Sequence, residues 1–213
     1  MKKIGVLICI SLFFGTLHAQ NAKQLLDDVS EKVNSYNNIV IDFKYTLNND
    51  KQNVHQDTRG NVTLKGDKYL LNMLGTTRIF DGKKIYSIIP EDEEVTISTY
   101  NSSDDKSITP SKMLTFYESG YRYKMDIVQN IRGRKIQFIK LTPIDNNAEI
   151  KDLLLGIDTR TKHIYKLIQT DGNGTQFIIT VNSFKTNQPI SKTLFTFDEK
   201  KYVADGYYIN KLD

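Results

Sequence analysis

Side chains able to do covalent or metal chemistry are few in this chain, and their spacing does not assemble them. Three histidines and one cysteine, Cys9, make up the strong ligands and nucleophile partners. Cys9 and His18 fall in an N-terminal apolar segment, leaving His55 and His163, which are far apart in sequence. A zinc shell built on them would need carboxylates at ligand spacing, and none has it. His55 lies in a polar stretch and reads as a solvated side chain. His163 stands beside Arg160 and Lys162, whose charges disfavour a metal cation. There is no Gly-x-Ser-x-Gly elbow and no phosphate-binding glycine loop. Glu91-Asp92-Glu93-Glu94 lacks the alternating spacing and glycine of a calcium loop and reads as a solvated turn. Asp171-Gly172-Asn173-Gly174 is explained by a hairpin turn. A carboxylate pair for glycoside hydrolysis depends on a three-dimensional separation, but the chain has no tryptophan to build a sugar platform. No catalytic residue, metal or cofactor is assigned, and the expectation is a protein that is not an enzyme.

The N-terminus carries a stronger signal. Lys2 and Lys3 precede an apolar run, Ile4 to Phe14, that is too short to span a bilayer comfortably. Leu17-His18-Ala19 then offers a cleavage site before Gln20, although leucine stands where a small residue is usual. Residues 1–19 are therefore expected to be a cleaved secretory signal, with an uncleaved anchor as the alternative. Cys9 sits inside the apolar run, not after it, so no lipid attachment is expected. The exported chain, residues 20–213, has no thiol and no disulfide. Its formal charge falls from +4 to +2 once the two signal lysines leave, and the remaining lysines are scattered, which argues against nucleic acid. No later apolar run is long enough for a transmembrane helix.

The elements that must do the work are mostly strands. Ala22 to Tyr36 places Leu25, Leu26, Val29 and Val33 at helical spacing. The period then changes to two: Ile39, Ile41, Phe43, Tyr45 and Leu47 alternate with polar residues. The polar stretch Asn48 to Thr58 reads as a loop. Gly60 to Leu64, then Tyr69, Leu71 and Met73, continue a meander, and Asp81-Gly82 between Thr77–Phe80 and Lys84–Ile89 is a type I′ hairpin signal. Val95 to Thr99 is the next strand. After the polar segment Asn101 to Ser107, Thr109-Pro110 opens a helix carrying Met113, Leu114, Phe116 and Tyr117, stopped by Gly120. Strands resume at Tyr121–Val128, Lys135–Thr142, Ile150–Asp158, His163–Thr170 and Gln176–Phe184. Leu194–Phe197 is a late strand, and Asp205-Gly206 a final hairpin. The sum is one domain, mainly β (α+β), with about eleven antiparallel strands and a helical layer.

Several of these segments, taken in order, resemble the outer-membrane lipoprotein carrier protein (LolA) family. An amphipathic helix leads into a strand ending Asp42-Phe43-Lys44. Gly60-Asn61-Val62-Thr63-Leu64-Lys65 is similar to the family's "G-x-[LV]-x-[LV]-K" strand, and Ile79-Phe80-Asp81-Gly82-Lys83 to its "DGK" hairpin. Pro110 to Tyr117 matches its mid-chain helix, Phe138 to Pro143 its "[FV]-x-L-x-P" strand, and Leu194-Phe195-Thr196-Phe197 its "F-x-F" segment. The chain departs from the family at Lys65-Gly66-Asp67. Proteobacterial members usually read Lys-Arg-Pro there, and that arginine helps hold a helical lid closed; its role is assigned to no residue here, leaving closure by other contacts or a more open cavity as the alternatives.

The resemblance implies a single curved antiparallel sheet forming an unclosed β-barrel, with helices across its mouth and an apolar cavity inside. It implies a periplasmic shuttle that takes lipoproteins from an inner-membrane lipoprotein-releasing ABC transporter to an outer-membrane acceptor, working as a monomer without nucleotide. A regulatory binding protein of the same fold, sensing lipid or lipoprotein, is the alternative. Ile41, Phe43 and Tyr45, then Tyr69, Leu71 and Met73, supply the implied cavity lining, with Met113, Leu114, Phe116 and Tyr117 as lid. Taken singly, each is as well explained by core packing.

Overall fold

The computed structural model describes residues 5–100, 109–145 and 150–212. The first two lysines and the polar segment Asn101 to Ser107 lie outside them. Helix α1 spans Gly5–Asn34, so the expected helix ends two residues earlier than Tyr36 and begins upstream, in the segment read as a signal. The strands are β1 (Ile39–Asn49), β2 (Val54–Lys65), β3 (Lys68–Met73), β4 (Thr76–Phe80), β5 (Lys84–Ile89) and β6 (Glu94–Thr99). They continue as β7 (Tyr121–Ile131), β8 (Arg134–Pro143), β9 (Ile150–Asp158), β10 (Ile164–Asp171) and β11 (Gln176–Thr186). A short helix, α2 (Glu199–Ala204), precedes β12 (Tyr208–Leu212).

These twelve strands form one sheet, in the order β12-β6-β5-β4-β3-β2-β1-β11-β10-β9-β8-β7, left open between β12 and β7. The mainly β, unclosed architecture is as expected, with twelve strands and one parallel pair, β12 on β6. Three local expectations are corrected. Most of Asn48–Thr58 is strand, because its exposed polar residues satisfy their backbone groups by pairing, without needing a buried face. Leu194–Phe197 is turn and coil. Asp205-Gly206 ends α2 instead of making a hairpin: Gly206, at φ +89, lets the chain leave the helix, and its N–H bonds to the carbonyl of Val203.

The chain divides into two compact units. The first comprises the described parts of Met1–Ser35, Thr46–His55 and Tyr117–Thr180. Ile139, Leu141, Leu153, Leu155 and Ile157 are buried there, on one face, in register across β8 and β9. On the opposite face Gly156 leaves room for Phe138, whose ring carbon lies 2.8 Å from where a Cβ would stand. Helix α1 packs against β7, and its stripe Leu25, Leu26, Val29 and Val33 is buried. Lys162 Nζ donates to Asp28 on α1 (2.9 Å). Asp171–Thr175 is a hairpin turn, with Asn173 Oδ1 accepting from the Thr175 N–H at 2.8 Å. Burial holds His163 below its usual range, with Asp158 opposing and Lys32 adding. His55 pairs with Asn48 Oδ1 at 3.2 Å.

The second unit comprises the described parts of Tyr36–Tyr45, Gln56–Phe116 and Val181–Asp213. On one face of its strands, Ile79, Ile88, Val95 and Ile97 are buried with Phe195. Residues 190–207 cover this face: Phe197 stacks between Tyr86 (4.7 Å) and Tyr202 (5.0 Å), and Tyr207 meets Tyr202 edge-on. The Asp81-Gly82-Lys83 connection is a three-residue loop, not a type I′ turn, because Asp81 keeps a negative φ. Its carboxylate accepts from the N–H groups of Lys83 and Lys84, each at 2.8 Å, and from the Tyr86 hydroxyl at 2.8 Å. Burial raises the Asp81 carboxyl, but these donors outweigh it and hold the group below its ordinary value. The same contact, added to burial, pushes Tyr86 up to about 12.

Candidate functional site

The opposite face of the second unit brings together Tyr69, Leu71, Met73 and Phe43 of the sequence-expected lining residues. Register fixes this: Val62 pairs with Leu71 and Leu71 with Arg78, while Leu64 pairs with Tyr69 and Tyr69 with Phe80. Residues paired across neighbouring strands point to the same side. Tyr69, Leu71 and Met73 therefore share their face with Val62, Leu64 and Phe80. Phe43 joins them, because its ring lies 2.5 Å from where a Cβ on Gly60 would stand, and Gly60 pairs with Met73. Only glycine lets the ring lie flat on β2.

Coverage of this face is uneven. Ile41, Phe43, Val62, Leu64, Tyr69 and Phe80 are buried. Tyr45, Leu71, Met73 and Ile85 are half-buried, leaving apolar surface partly uncovered. The alternation expected of β1 holds for Ile39, Ile41 and Phe43, then breaks: Thr46 and Asn49 are buried while Tyr45 and Leu47 are not. The break falls where the strand passes from one unit to the other, and Asn49 is buried because its amide is used, donating to Thr175 Oγ1 at 2.7 Å.

The expected lid helix is two 3₁₀ turns, Lys112–Leu114 and Phe116–Glu118. Thr109 begins the segment as expected, its carbonyl accepting from the Met113 N–H at 2.9 Å. Leu114 is buried, and Met113 and Phe116 are half-buried. Two side-chain contacts hold the segment within its unit. The Ser111 hydroxyl donates to the Asp67 carbonyl at 3.4 Å, and Lys112 Nζ donates to the Tyr100 hydroxyl at 3.1 Å. The Tyr100 ring meets Phe80 at 5.1 Å, and Phe80 meets Tyr69 at 5.6 Å, so an aromatic series runs from beneath the segment onto the candidate face. Asp67 belongs to the turn that lacks the family arginine, and Ser111 supplies a neutral tether at that turn. Tyr117 stands apart from its neighbours in the sequence. It belongs to the first unit, where its buried hydroxyl pairs with Ser30 Oγ of α1 at 3.0 Å and burial pushes it up to about 12. Sequence patterning did not single out Val62, Phe80, Ile85 or Tyr100 for this face; they join it through cross-strand register and ring contacts.

Among the described residues no three histidine, cysteine, aspartate or glutamate side chains cluster to hold a metal, and no helix is long and apolar enough to cross a membrane. The arrangement is suited to non-covalent binding of apolar groups. Residues 34–198 match the family model described as outer membrane lipoprotein carrier protein LolA. The chain belongs to the LolA family. Carrier proteins of the LolA family are not enzymes. No curated protein matches it significantly in sequence. Its fold is similar to that of an uncharacterized conserved protein from Thermus thermophilus, at 9% identity and TM-score 0.61, over 90% of this chain and 99% of that one. A LolA superfamily protein from Nitrosomonas europaea also matches, at 13% identity and TM-score 0.46, over 83% and 98%. LprF from Mycobacterium bovis matches at 12% identity and TM-score 0.49, over 81% and 95%.

Proposed function

We propose that this protein is a periplasmic carrier that holds the acyl chains of lipoproteins on the apolar face around Leu71 and moves them from the inner to the outer membrane. The observation that carries the reading is the partly covered row Leu71, Met73 and Ile85 beside a mid-chain segment tethered by two side-chain hydrogen bonds, in a chain of the LolA family. The physical need is large. Each methylene exposed to water costs about 0.8 kcal/mol, so a sixteen-carbon chain costs on the order of 12 kcal/mol. Lipoprotein acyl chains cannot cross an aqueous compartment unshielded at a useful rate. Half-buried aliphatic and methionine side chains offer a lining that adapts to chain shape, and weak tethers allow the mid-chain segment to move. In this reading residues 1–19 are cleaved and residues 20–213 work as one monomeric carrier domain. Its cargo comes from an inner-membrane ABC transporter and passes to an outer-membrane acceptor.

The test is complex formation with a purified triacylated lipoprotein and with its unacylated counterpart, in which the lipid-bearing cysteine is replaced by serine. Gel filtration is expected to give a one-to-one complex with the acylated form alone. Co-elution with both forms, or with neither, would contradict the carrier reading.

A further inference from the structure

Arg78 is the one basic side chain among the register-paired residues of the candidate face in β2 to β6. It stands directly opposite Leu71 on β3 and Ser87 on β5, with Thr76 and Phe80 two residues away on its own strand. Met73 and Ile85 lie on its diagonals. None of these six is a carboxylate, and among the described residues the Arg78 side chain makes no hydrogen bond or ion pair. Glu94, on the same face two strands away, accepts from Thr96 Oγ1 at 3.3 Å.

An exposed, unpaired guanidinium is unremarkable on a wet surface. Here it sits within the apolar patch that, on the carrier reading, an alkyl chain covers. A neutral chain laid over Leu71 and Met73 strips water from the guanidinium and returns no acceptor, which is costly. A chain with an anionic head supplies that acceptor, and the planar fork of an arginine matches two oxygens of a carboxylate or phosphate at once. Ser87, across on β5, and Thr76, two residues earlier on the same strand, share the face of Arg78, and their hydroxyls can donate to the remaining lone pairs. Shielding by the bound chain would strengthen the ionic contact.

We propose that Arg78, flanked by Ser87, anchors the anionic head of an amphiphile whose alkyl chain lies over Leu71 and Met73. This inference rests on the carrier reading and extends the ligand class from acyl chains to acyl chains bearing a carboxylate or phosphate. Two sources share that chemistry, a free fatty acid and a lipid headgroup phosphate, and the test has an arm for each. The purified protein is loaded with a fluorescent alkyl probe. Displacement is then measured for palmitate against its methyl ester, and for monopalmitoyl phosphatidic acid against monopalmitoylglycerol. The anionic member is expected to bind about tenfold tighter in at least one arm, and the arm with the larger ratio identifies the head. Arg78→Gln is expected to bring that ratio close to one, and Arg78→Lys to keep part of it. Circular dichroism checks that both variants fold. A ratio near one in both arms for the unaltered protein, or an unchanged ratio in Arg78→Gln, overturns the anchor while leaving the carrier reading intact. Failure of the probe and of all four lipids to bind overturns both.

Discussion

Leu71→Glu is expected to weaken binding of an acyl chain by about a hundredfold while leaving the sheet folded. Leu71 is half-buried at the centre of the candidate face and stands directly across from Arg78. A glutamate there reaches water and pairs with the guanidinium, so the folded state tolerates it; cross-strand opposite charges are mildly favourable. The resulting ion pair lies across the path of the chain. Covering it with methylenes desolvates both charges, and the apolar surface Leu71 offered is lost. Phe116→Glu, in the mid-chain segment, is expected to act in the same direction. Lys65→Glu, on the other face of β2 and exposed, is the control and should bind as the unaltered protein does. Fluorescence titration with an acyl probe, with far-UV circular dichroism as the folding check, measures all three. Unchanged affinity in Leu71→Glu would place the ligand elsewhere.

Phe195→Ala is expected to carry the largest loss of stability. Phe195 is only 6% exposed and sits among Ile79, Ile88, Val95 and Ile97. It is the buried anchor of a segment with no regular structure, whose other contacts, Ile190, Leu194 and Phe197, are only partly buried. Truncating a buried phenylalanine costs about 3–5 kcal/mol. The stack of Phe197 on Tyr86 and Tyr202 depends on the same docking, as does the approach of α2 and β12 to β6. Urea unfolding followed by circular dichroism should show the midpoint falling sharply. Val203→Ala, at an exposed position, should leave the midpoint nearly unchanged. A midpoint for Phe195→Ala that moves no further than that of Val203→Ala would mean the C-terminal cover contributes nothing.

How far the sequence could be read follows from which interactions are local. The period-two runs around Ile41 and Tyr69 are set by the burial of one face of each strand, so they were legible as strands with a defined face. Asp81-Gly82 was legible as a connection, but its type was not. That depends on whether the Asp81 carboxylate captures the Lys83 and Lys84 N–H groups, which stabilises a three-residue loop with Asp81 at negative φ. The C-terminus misled most. Phe195-Thr196-Phe197 alternates as a strand would, yet its phenylalanines are placed by distant partners, Ile97 and Tyr86. Asp205-Gly206 serves equally as a hairpin turn or a helix stop, and only the parallel partner β6, more than a hundred residues earlier in the chain, decides between them. The site was legible in the same measure. Alternation named Leu71 and Met73, whereas nothing in the sequence singled out Arg78, which only register sets opposite Leu71.

The central claim is that an alkyl chain lies on the face shared by Leu71 and Met73 and reaches the segment carrying Met113. Methyl resonances of ¹³C-labelled methionine report on it directly during titration with a palmitoylated ligand. Saturable shifts of the Met73 and Met113 methyls, with a common midpoint, are expected. Saturable binding of the ligand with both methyls unmoved would contradict the claim.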